Sequence, residues 1–146
     1  MTIRCEIVSQ DRTVFTGDVD IVVLPGAAGE MGILPKHAPV LTTLKYGFVR
    51  VRVSGKEEVF AVAGGVAEVQ PDIVTILADA AENVQEIDEA RAEAARKRAE
   101  EILKKGVPQD TDAYLAMEAA LRRSNLRIDA VRRYRKSGSP FQHSEN

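Results

Sequence analysis

The sequence predicts an α+β protein, in which an N-terminal antiparallel β-sandwich is followed by a C-terminal two-helix hairpin. Up to Glu82, short runs of β-branched residues are separated by Gly and Pro; after it, Ala, Arg, Glu, Lys and Leu dominate. The first pattern is typical of strands and the second of helices. Charge changes at the same place, because residues 1–85 hold seven Lys/Arg against eleven Asp/Glu, whereas residues 86–136 hold thirteen against ten. This division suggests that the acidic part docks on a partner and that the basic part extends away from it.

The strands are predicted from alternating apolar residues and from the turn residues between them. Turn signals recur roughly every 8–12 residues, which is typical of a sandwich and leaves no room for crossover helices, so a parallel sheet is not expected. The predicted strands are residues 3–8, 13–24 with a notch at Gly17-Asp18, 40–46, 48–53, 57–63, 66–69 and 73–77.

The first helix is predicted to begin between Asn83 and Asp88, with Asp88 as its N-cap, and to run to Lys105. Gly106 and Pro108 then end it. Its predicted apolar face consists of Ile87, Ala90, Ala94, Ile102 and Leu103.

A second helix is predicted from an Asp110 or Thr111 cap to about Lys136. Its apolar seam consists of Tyr114, Leu121, Ile128 and Val131, with Met117 and Leu115 beside it. Both stripes are thin, so the hairpin is expected to be weakly held and easily opened. The predicted domains are therefore a β-sandwich over 1–84, a helix-turn-helix over 85–136 and a disordered tail over 137–146.

Composition excludes several classes of protein. No apolar run approaches the ~18 residues of a membrane span, and the N-terminus lacks the apolar core of a secretory signal. The single Cys5 cannot form an internal disulfide and is expected to be a small buried group. These features predict a cytoplasmic protein. The absence of Trp and the 5% aromatic content argue against a platform for stacking nucleic-acid bases.

Residues 29–37, Gly-Glu-Met-Gly-Ile-Leu-Pro-Lys-His, resemble the loop signature of the epsilon subunit of bacterial F-type ATP synthases. The match continues in order through residues 38–41, 64–69, 74–78 and 87–92, so it covers nearly the whole chain from Ile3 to about Lys136. The resemblance implies a rotor subunit without an active site, in the central stalk of the catalytic sector of an enzyme that makes ATP from an ion gradient. The implied partners are the gamma subunit, the c-ring and the alpha and beta subunits. The implied location is the cytoplasmic face of the cell membrane, where the chain is held peripherally through the complex.

Two residues are implied to contact the c-ring. Glu30 matches an acid that faces the polar loops of the ring, and the plainer alternative is an ordinary solvated loop acid. His37 is expected to contact the ring or the gamma subunit, or else to be a hydrogen-bonded structural histidine. No second histidine lies near it in the sequence, so no histidine-based metal site is expected.

The resemblance also implies a regulatory ATP site, with no required cofactor. Some bacterial members of the family bind ATP through the motif matched at the start of the first helix, together with arginines of both helices. The corresponding residues are Glu82, Ile87, Asp88, Arg91, Ala92, Arg98, Arg123 and Arg127. Arg123 and Arg127 are four apart and share a helix face, so they could grip a polyphosphate while Asp88 or Glu82 accepts from adenine or ribose. The plainer interpretation is an Asp88–Arg91 pair at a helix end.

The second helix is strongly basic. The resemblance implies that this helix, when released and extended, meets acidic segments of the alpha and beta subunits and blocks rotation in the direction of ATP hydrolysis. The residues implied in this contact are Arg122, Arg123, Arg127, Arg132 and Arg133. ATP would favour the folded hairpin and its loss the extended one.

Two other classes of function remain as alternatives to the rotor subunit. A stand-alone nucleic-acid-binding module would use the basic helix, but acids are interspersed among its basic residues, and aromatic residues do not alternate with them. A small enzyme is disfavoured, because the sequence shows no nucleophile–base pair or metal cluster.

Overall fold

The computed structural model describes residues 1–106 and 110–135. The chain forms two compact units, Met1–Asn83 and a second that begins at Val84. The predicted tail over 137–146 lies outside the described residues.

The first unit is a β-sandwich, which confirms the predicted fold class. The strands alternate between buried and exposed positions, as the period of two requires. They are β1 (Ile3–Val8), β2 (Thr13–Val19), β3 (Ile21–Gly26), β4 (Gly29–Ile33), β5 (Val40–Val53), β6 (Lys56–Val69), β7 (Ile73–Ala78) and β8 (Ala81–Asn83).

The strands pair in the order β2-β1-β7-β6-β5-β3-β4, and β8 pairs with β6. All described pairs are antiparallel except β1 with β7, which is parallel. The spacing of turns did not predict this pair, because spacing constrains neighbours in the sequence, whereas β1 and β7 come from opposite ends of the unit.

The long strands β5 and β6 pair with each other along almost their whole length. Each has 14 residues, whereas the sequence predicted a break within each. The predicted break in β6 is a distortion instead, since Gly64 and Gly65 have φ of 85° and 125° while the strand continues on both sides. Phe15 of β2 packs on Phe60 of β6, with ring centroids 5.5 Å apart. The core between the layers includes Ile3, Cys5, Ile7, Val22, Leu24, Val49, Val62, Val74 and Ile76.

The second unit contains a 3-10 turn (Val84–Glu86), helix α1 (Glu89–Lys104), helix α2 (Thr111–Ala130) and a π-helical turn (Val131–Arg135). Asp88 caps α1 and Asp110 caps α2, as predicted: Asp88 Oδ1 accepts from the Arg91 N–H at 3.1 Å and Asp110 Oδ1 from the Asp112 N–H at 3.0 Å.

The two helices pack on each other, but the predicted apolar face of α1 was right only in part, since Ile87 is buried and Leu103 is half-buried while the other members are exposed. Ala90 and Ala94 are exposed, and Ala92 and Ala99 are buried instead. In a helix this rich in alanine, more than one stripe fits the 3.6-residue period, so periodicity cannot select the packed face. The seam of α2 is confirmed: Ile128 and Val131 are buried, Tyr114 and Leu121 are half-buried, and Leu115 beside it is exposed.

Candidate functional site

Glu30 lies on strand β4 and not in an open loop, which corrects the expectation from its flanking glycines. The apolar residues of β3 and β4 pair in a short hairpin, in which Glu30 is opposite Pro25 and Gly29 is opposite Gly26. The Glu30 side chain is 68% exposed, and its Oε1 lies 3.2 Å from Arg50 Nη2 on β5. A carboxylate so exposed remains available to a partner, because a surface ion pair holds it only weakly.

Arg50 connects Glu30 to charges on the next strand. Its Nη1 lies 4.0 Å from Glu57 on β6, and Arg52 lies 3.6 Å from the same carboxylate. The outer surface of β4, β5 and β6 therefore carries a row of alternating charges that ends at Glu30.

His37 follows a tight turn, in which Lys36 has φ of 70°. Its Nδ1 lies 2.7 Å from the Ala38 carbonyl oxygen, so an Nδ1–H would donate to that oxygen and fix the ring. The hydrogen bond agrees with the structural interpretation of this histidine and leaves Nε2 for any other partner.

Asp88 is occupied chiefly as a helix cap. The Asp88–Arg91 interaction joins the carboxylate to the backbone N–H of Arg91, and the Ala92 N–H bonds the Asp88 carbonyl at 3.1 Å. The described contacts therefore replace the expected ion pair between the two side chains with an N-cap. This arrangement leaves the Arg91 guanidinium exposed.

The four predicted nucleotide-binding arginines share one side of the hairpin. Each comes one position before a residue buried in the second unit: Arg91 before Ala92, Arg98 before Ala99, Arg123 before Ser124 and Arg127 before Ile128. Successive residues turn by about 100° around a helix axis in a constant sense. In an antiparallel pair, the residues that precede buried positions therefore line one side of the seam, and those that follow line the other. We call the side with Arg91, Arg98, Arg123 and Arg127 the arginine flank.

The height of these arginines along the hairpin follows from a contact between its two arms. Arg132 Nη2 donates to Glu93 Oε1 at 3.0 Å, so the start of α1 lies beside the end of α2. Five residues further along α1 is Arg98, and five residues back along α2 is Arg127. The two therefore lie at about the same height, and the flank from Arg91 to the level of Arg123 spans roughly 17 Å at 1.5 Å per residue.

The remaining predicted nucleotide-binding residues lie close together in the sequence but in different units. Glu82 lies half-buried on β8, opposite Ala61 of β6, in the first unit. Ile87 is buried just before α1, and Ala92 is fully buried on its packed face. Ile87 and Ala92 are thus packing residues, whereas Arg91, Arg98 and Arg123 are exposed.

The opposite side of the seam carries an ion cluster that sequence reasoning missed. Glu93, which follows Ala92, accepts from Arg132 through Oε1 and from Arg96 through Oε2 at 2.8 Å. Arg96 also bonds Glu100 at 3.1 Å. The hydrogen bond from Arg96, together with the charges of Arg96, Arg132 and Lys97, lowers the pKa of Glu93. The spacing of Glu93, Arg96 and Glu100 was a usable signal for the part of this cluster within α1.

The arginines predicted for the inhibitory contact differ in their surroundings. Arg122, Arg123, Arg132 and Arg133 are exposed, while Arg127 is half-buried. The Arg133 guanidinium lies 5.7 Å from the centre of the Tyr134 ring. Arg132 is held by Glu93, so the folded hairpin does not present all of these groups equally.

Within the described ranges, no three His, Cys, Asp or Glu side chains cluster in a way that could hold a metal ion. No helix in that part of the chain is long and apolar enough to cross a membrane.

Two family models match consecutive parts of the chain. The model for the beta-sandwich domain of the ATP synthase delta/epsilon chain matches residues 2–84, and the model for its long alpha-helix domain matches residues 85–132. The chain belongs to this family. The resemblance found in the sequence is thereby confirmed.

Relatives named ATP synthase epsilon chain match over most of their length. The chain is 44% identical over 140 residues to the protein of Nitrosococcus oceani, covering 93% of this chain and 96% of that one. It is 45% identical over 131 residues to the protein of Bacillus licheniformis, covering 90% and 98%.

Solved structures agree. A chain in the mitochondrial ATP synthase of Euglena gracilis, a structure of OSCP, F1 and c-ring, matches with a TM-score of 0.67 at 26% identity, over 83% of this chain and 76% of that one. A chain in the central stalk and c-ring of the Tetrahymena thermophila enzyme matches with a TM-score of 0.60 over 89% and 96%, and at 12% identity it supports the fold alone.

Proposed function

We propose that this chain is a non-catalytic rotor subunit that couples the central stalk of an F-type ATP synthase to the c-ring during proton-driven ATP synthesis. It also inhibits ATP hydrolysis through its C-terminal hairpin, whose folded state is favoured by ATP. The observation that carries the proposal is the separate helical unit, whose thin seam is bordered by arginines. In this account the β-sandwich docks on the gamma subunit and the ring at the cytoplasmic face of the membrane, and the hairpin regulates.

Exposure of Glu30 supports the docking role. The carboxylate stands on a hairpin of two short strands and is held loosely by Arg50, so it can exchange that partner for polar groups of the ring loops. The test is proton pumping by complexes depleted of this subunit and reconstituted with the wild-type chain or with Glu30→Gln. Glu68→Gln is a matched control, because Glu68 is an exposed acid on β6 of the same sandwich.

The wild-type chain and the Glu68→Gln control should restore pumping, and Glu30→Gln should restore it less well at the same ATP turnover. Equal restoration by all three would remove Glu30 from the ring contact. Failure of the wild-type chain to restore any coupling would contradict the rotor role itself.

The arginine flank supports nucleotide binding. Its span of roughly 17 Å is comparable to an extended nucleoside triphosphate, and guanidinium groups pair with phosphates through forked hydrogen bonds. Since contributions come from both helices, a nucleotide held there would stabilise the closed hairpin by its difference in affinity between the two states.

The test is an ATP titration of the isolated chain, in which wild type is compared with Arg91→Ala and Arg123→Ala. Lys97→Ala serves as the control, because Lys97 is an exposed cation of α1 that does not precede a buried residue. Saturable binding that both arginine variants lose and the control keeps is the expected result. Equal binding by the wild type and all three variants would show that the nucleotide binds away from the arginine flank.

The basic surface of α2 supports the inhibitory role. When the hairpin opens, the helix would carry its arginines towards acidic segments of the alpha and beta subunits, and long-range attraction would speed their capture. Inhibition should therefore weaken as ionic strength rises.

A further inference from the structure

We propose that Glu93 is the centre of an ion-pair latch that holds the hairpin closed and keeps Arg132 from the inhibitory contact. The consequence for hydrolysis rests on the proposed function. The latch itself is a property of the isolated chain and can be tested there.

The geometry of the Glu93 carboxylate carries the inference. One oxygen accepts from Arg132 beyond the end of α2 at 3.0 Å, and the other accepts from Arg96 on α1 at 2.8 Å. The Glu93 side chain is 27% exposed, against 63% for Arg132. Arg96 holds the Glu93 carboxylate in place on α1. The other carboxylate oxygen is therefore already oriented to accept from Arg132 when α2 closes on α1.

A second contact supports closure at the same end. Arg135 Nη2 donates to the Gln85 carbonyl oxygen at 2.7 Å, which ties the π-helical turn to the 3-10 turn before α1. Both contacts lie at the open end of the hairpin, far along the chain from the connection between α1 and α2. Separation of the two arms must break them.

Polar contacts matter here because the apolar seam is weak. The face that α1 packs on α2 includes the alanines Ala92 and Ala99, while the larger Ile102 is 45% exposed. Alanine side chains bury little apolar area, so packing alone gives the closed state a small advantage. A few ion pairs therefore contribute a large part of the free-energy difference between the closed and the open hairpin.

The latch and the proposed nucleotide site occupy opposite sides of the seam. Glu93 and Arg132 follow buried Ala92 and Val131, whereas the residues of the arginine flank precede buried positions. The latch therefore does not use the residues of the arginine flank, and it acts in parallel with ATP. In the closed hairpin Arg132 pairs with Glu93. In the open state it would pair instead with an acidic group of the alpha or beta subunit.

The experiment measures the opening of the isolated chain by thiol labelling at Ser124→Cys. Ser124 is buried in the seam at 5% exposure, so its replacement thiol reacts in proportion to the fraction of open hairpin. The chain without this substitution gives the background from Cys5, which is fully buried in the sandwich. Glu93→Gln, Arg132→Gln and their combination are compared in this background. Glu101→Gln, an exposed acid of the same helix, is the matched control.

The latch predicts that Glu93→Gln and Arg132→Gln each speed labelling by a factor of roughly two to five, which is the range for an exposed ion pair. The double variant should label no faster than the faster single one, because both remove the same interaction. High salt should speed labelling of wild type more than that of Glu93→Gln. Equal rates for Glu93→Gln and Glu101→Gln, or a double variant equal to the product of the single ones, would overturn the latch.

Hydrolysis by the reconstituted complex separates this inference from the proposed function. If Glu93→Gln opens the isolated hairpin and also strengthens inhibition, both stand. If it opens the hairpin while hydrolysis stays at the wild-type rate, the latch stands and the inhibitory role of the extended hairpin fails.

Discussion

Gly65 gives the sharpest prediction about the stability of the sandwich. Its φ is +125°, and a Cβ built there would lie 2.2 Å from the Leu77 carbonyl oxygen and 2.7 Å from Ala78 Cα. Both are backbone atoms of β7, the strand that pairs with β6 at this point, so no side chain can rotate away. Gly65→Ala must therefore separate the two strands.

The cost has two parts. The backbone conformation costs a non-glycine residue about 1–3 kcal/mol, and relieving the overlap adds about 1–3 kcal/mol, as overpacking does in other cores. Gly29→Ala isolates the first part, because Gly29 has φ of +136° and nothing within 4 Å of its built Cβ.

The assay is chemical denaturation followed by a signal from the β-sandwich. Gly65→Ala should lower the free energy of unfolding by about 2–6 kcal/mol, and Gly29→Ala should lower it by the smaller, conformational part alone. Equal losses for the two variants would refute the reasoning, since they would show that the approach of β7 to Gly65 carries no cost.

Three further predictions concern the core, a thiol and a helix cap. Phe60→Ala should cost about 3–5 kcal/mol in the same denaturation assay, and more than Phe15→Ala, because Phe60 is 1% exposed while Phe15 is half-buried; equal costs would contradict this. Burial raises the pKa of the Cys5 thiol from 9.0 to about 12, so the folded state resists its ionisation and stability is lost as pH rises above 9. Relative to Cys5→Ala, wild type should lose about 2 kcal/mol by pH 10.5, and parallel pH profiles would contradict the shift. Asp88→Ala should destabilise α1 by about 1 kcal/mol and Asp88→Asn by much less, as measured by amide exchange in its first turn; equal effects would show that the cap is not the source.

The fold was predictable where a local pattern decides the structure. Asp88 and Asp110 were found as caps because a side chain that bonds nearby backbone N–H groups acts within a few residues. The strand ends near Val8 and Ser54 followed from turn residues in the same way.

Long-range pairing was not predictable from such patterns. The parallel contact of β1 with β7 depends on which distant edges meet, and the continuity of β5 across Gly47 depends on β6 pairing along its length. The hairpin that places Glu30 on a strand was missed because its glycines resemble a loop.

In the candidate site, the identity of the arginines was predictable from the sequence. The side of the hairpin on which they lie was not, because it depends on which alanines of α1 are buried. Ala90 and Ala94 form as regular a stripe as Ala92 and Ala99, and the contact with α2 selects the second. Glu93 was missed for the same reason, since its role depends on the ion pair with Arg132, which is distant in the sequence.

The central claim, that an extended basic hairpin inhibits hydrolysis, is tested most directly by one rate. Complexes depleted of this subunit are reconstituted with the wild-type chain or with a chain in which Arg122, Arg123, Arg127, Arg132 and Arg133 are all changed to Gln, and ATP hydrolysis is measured at limiting ATP. The account predicts slow hydrolysis with the wild-type chain and faster hydrolysis with the neutralised one, at equal occupancy of the complex. Equal rates would contradict it and leave the hairpin without the inhibitory role assigned to its arginines.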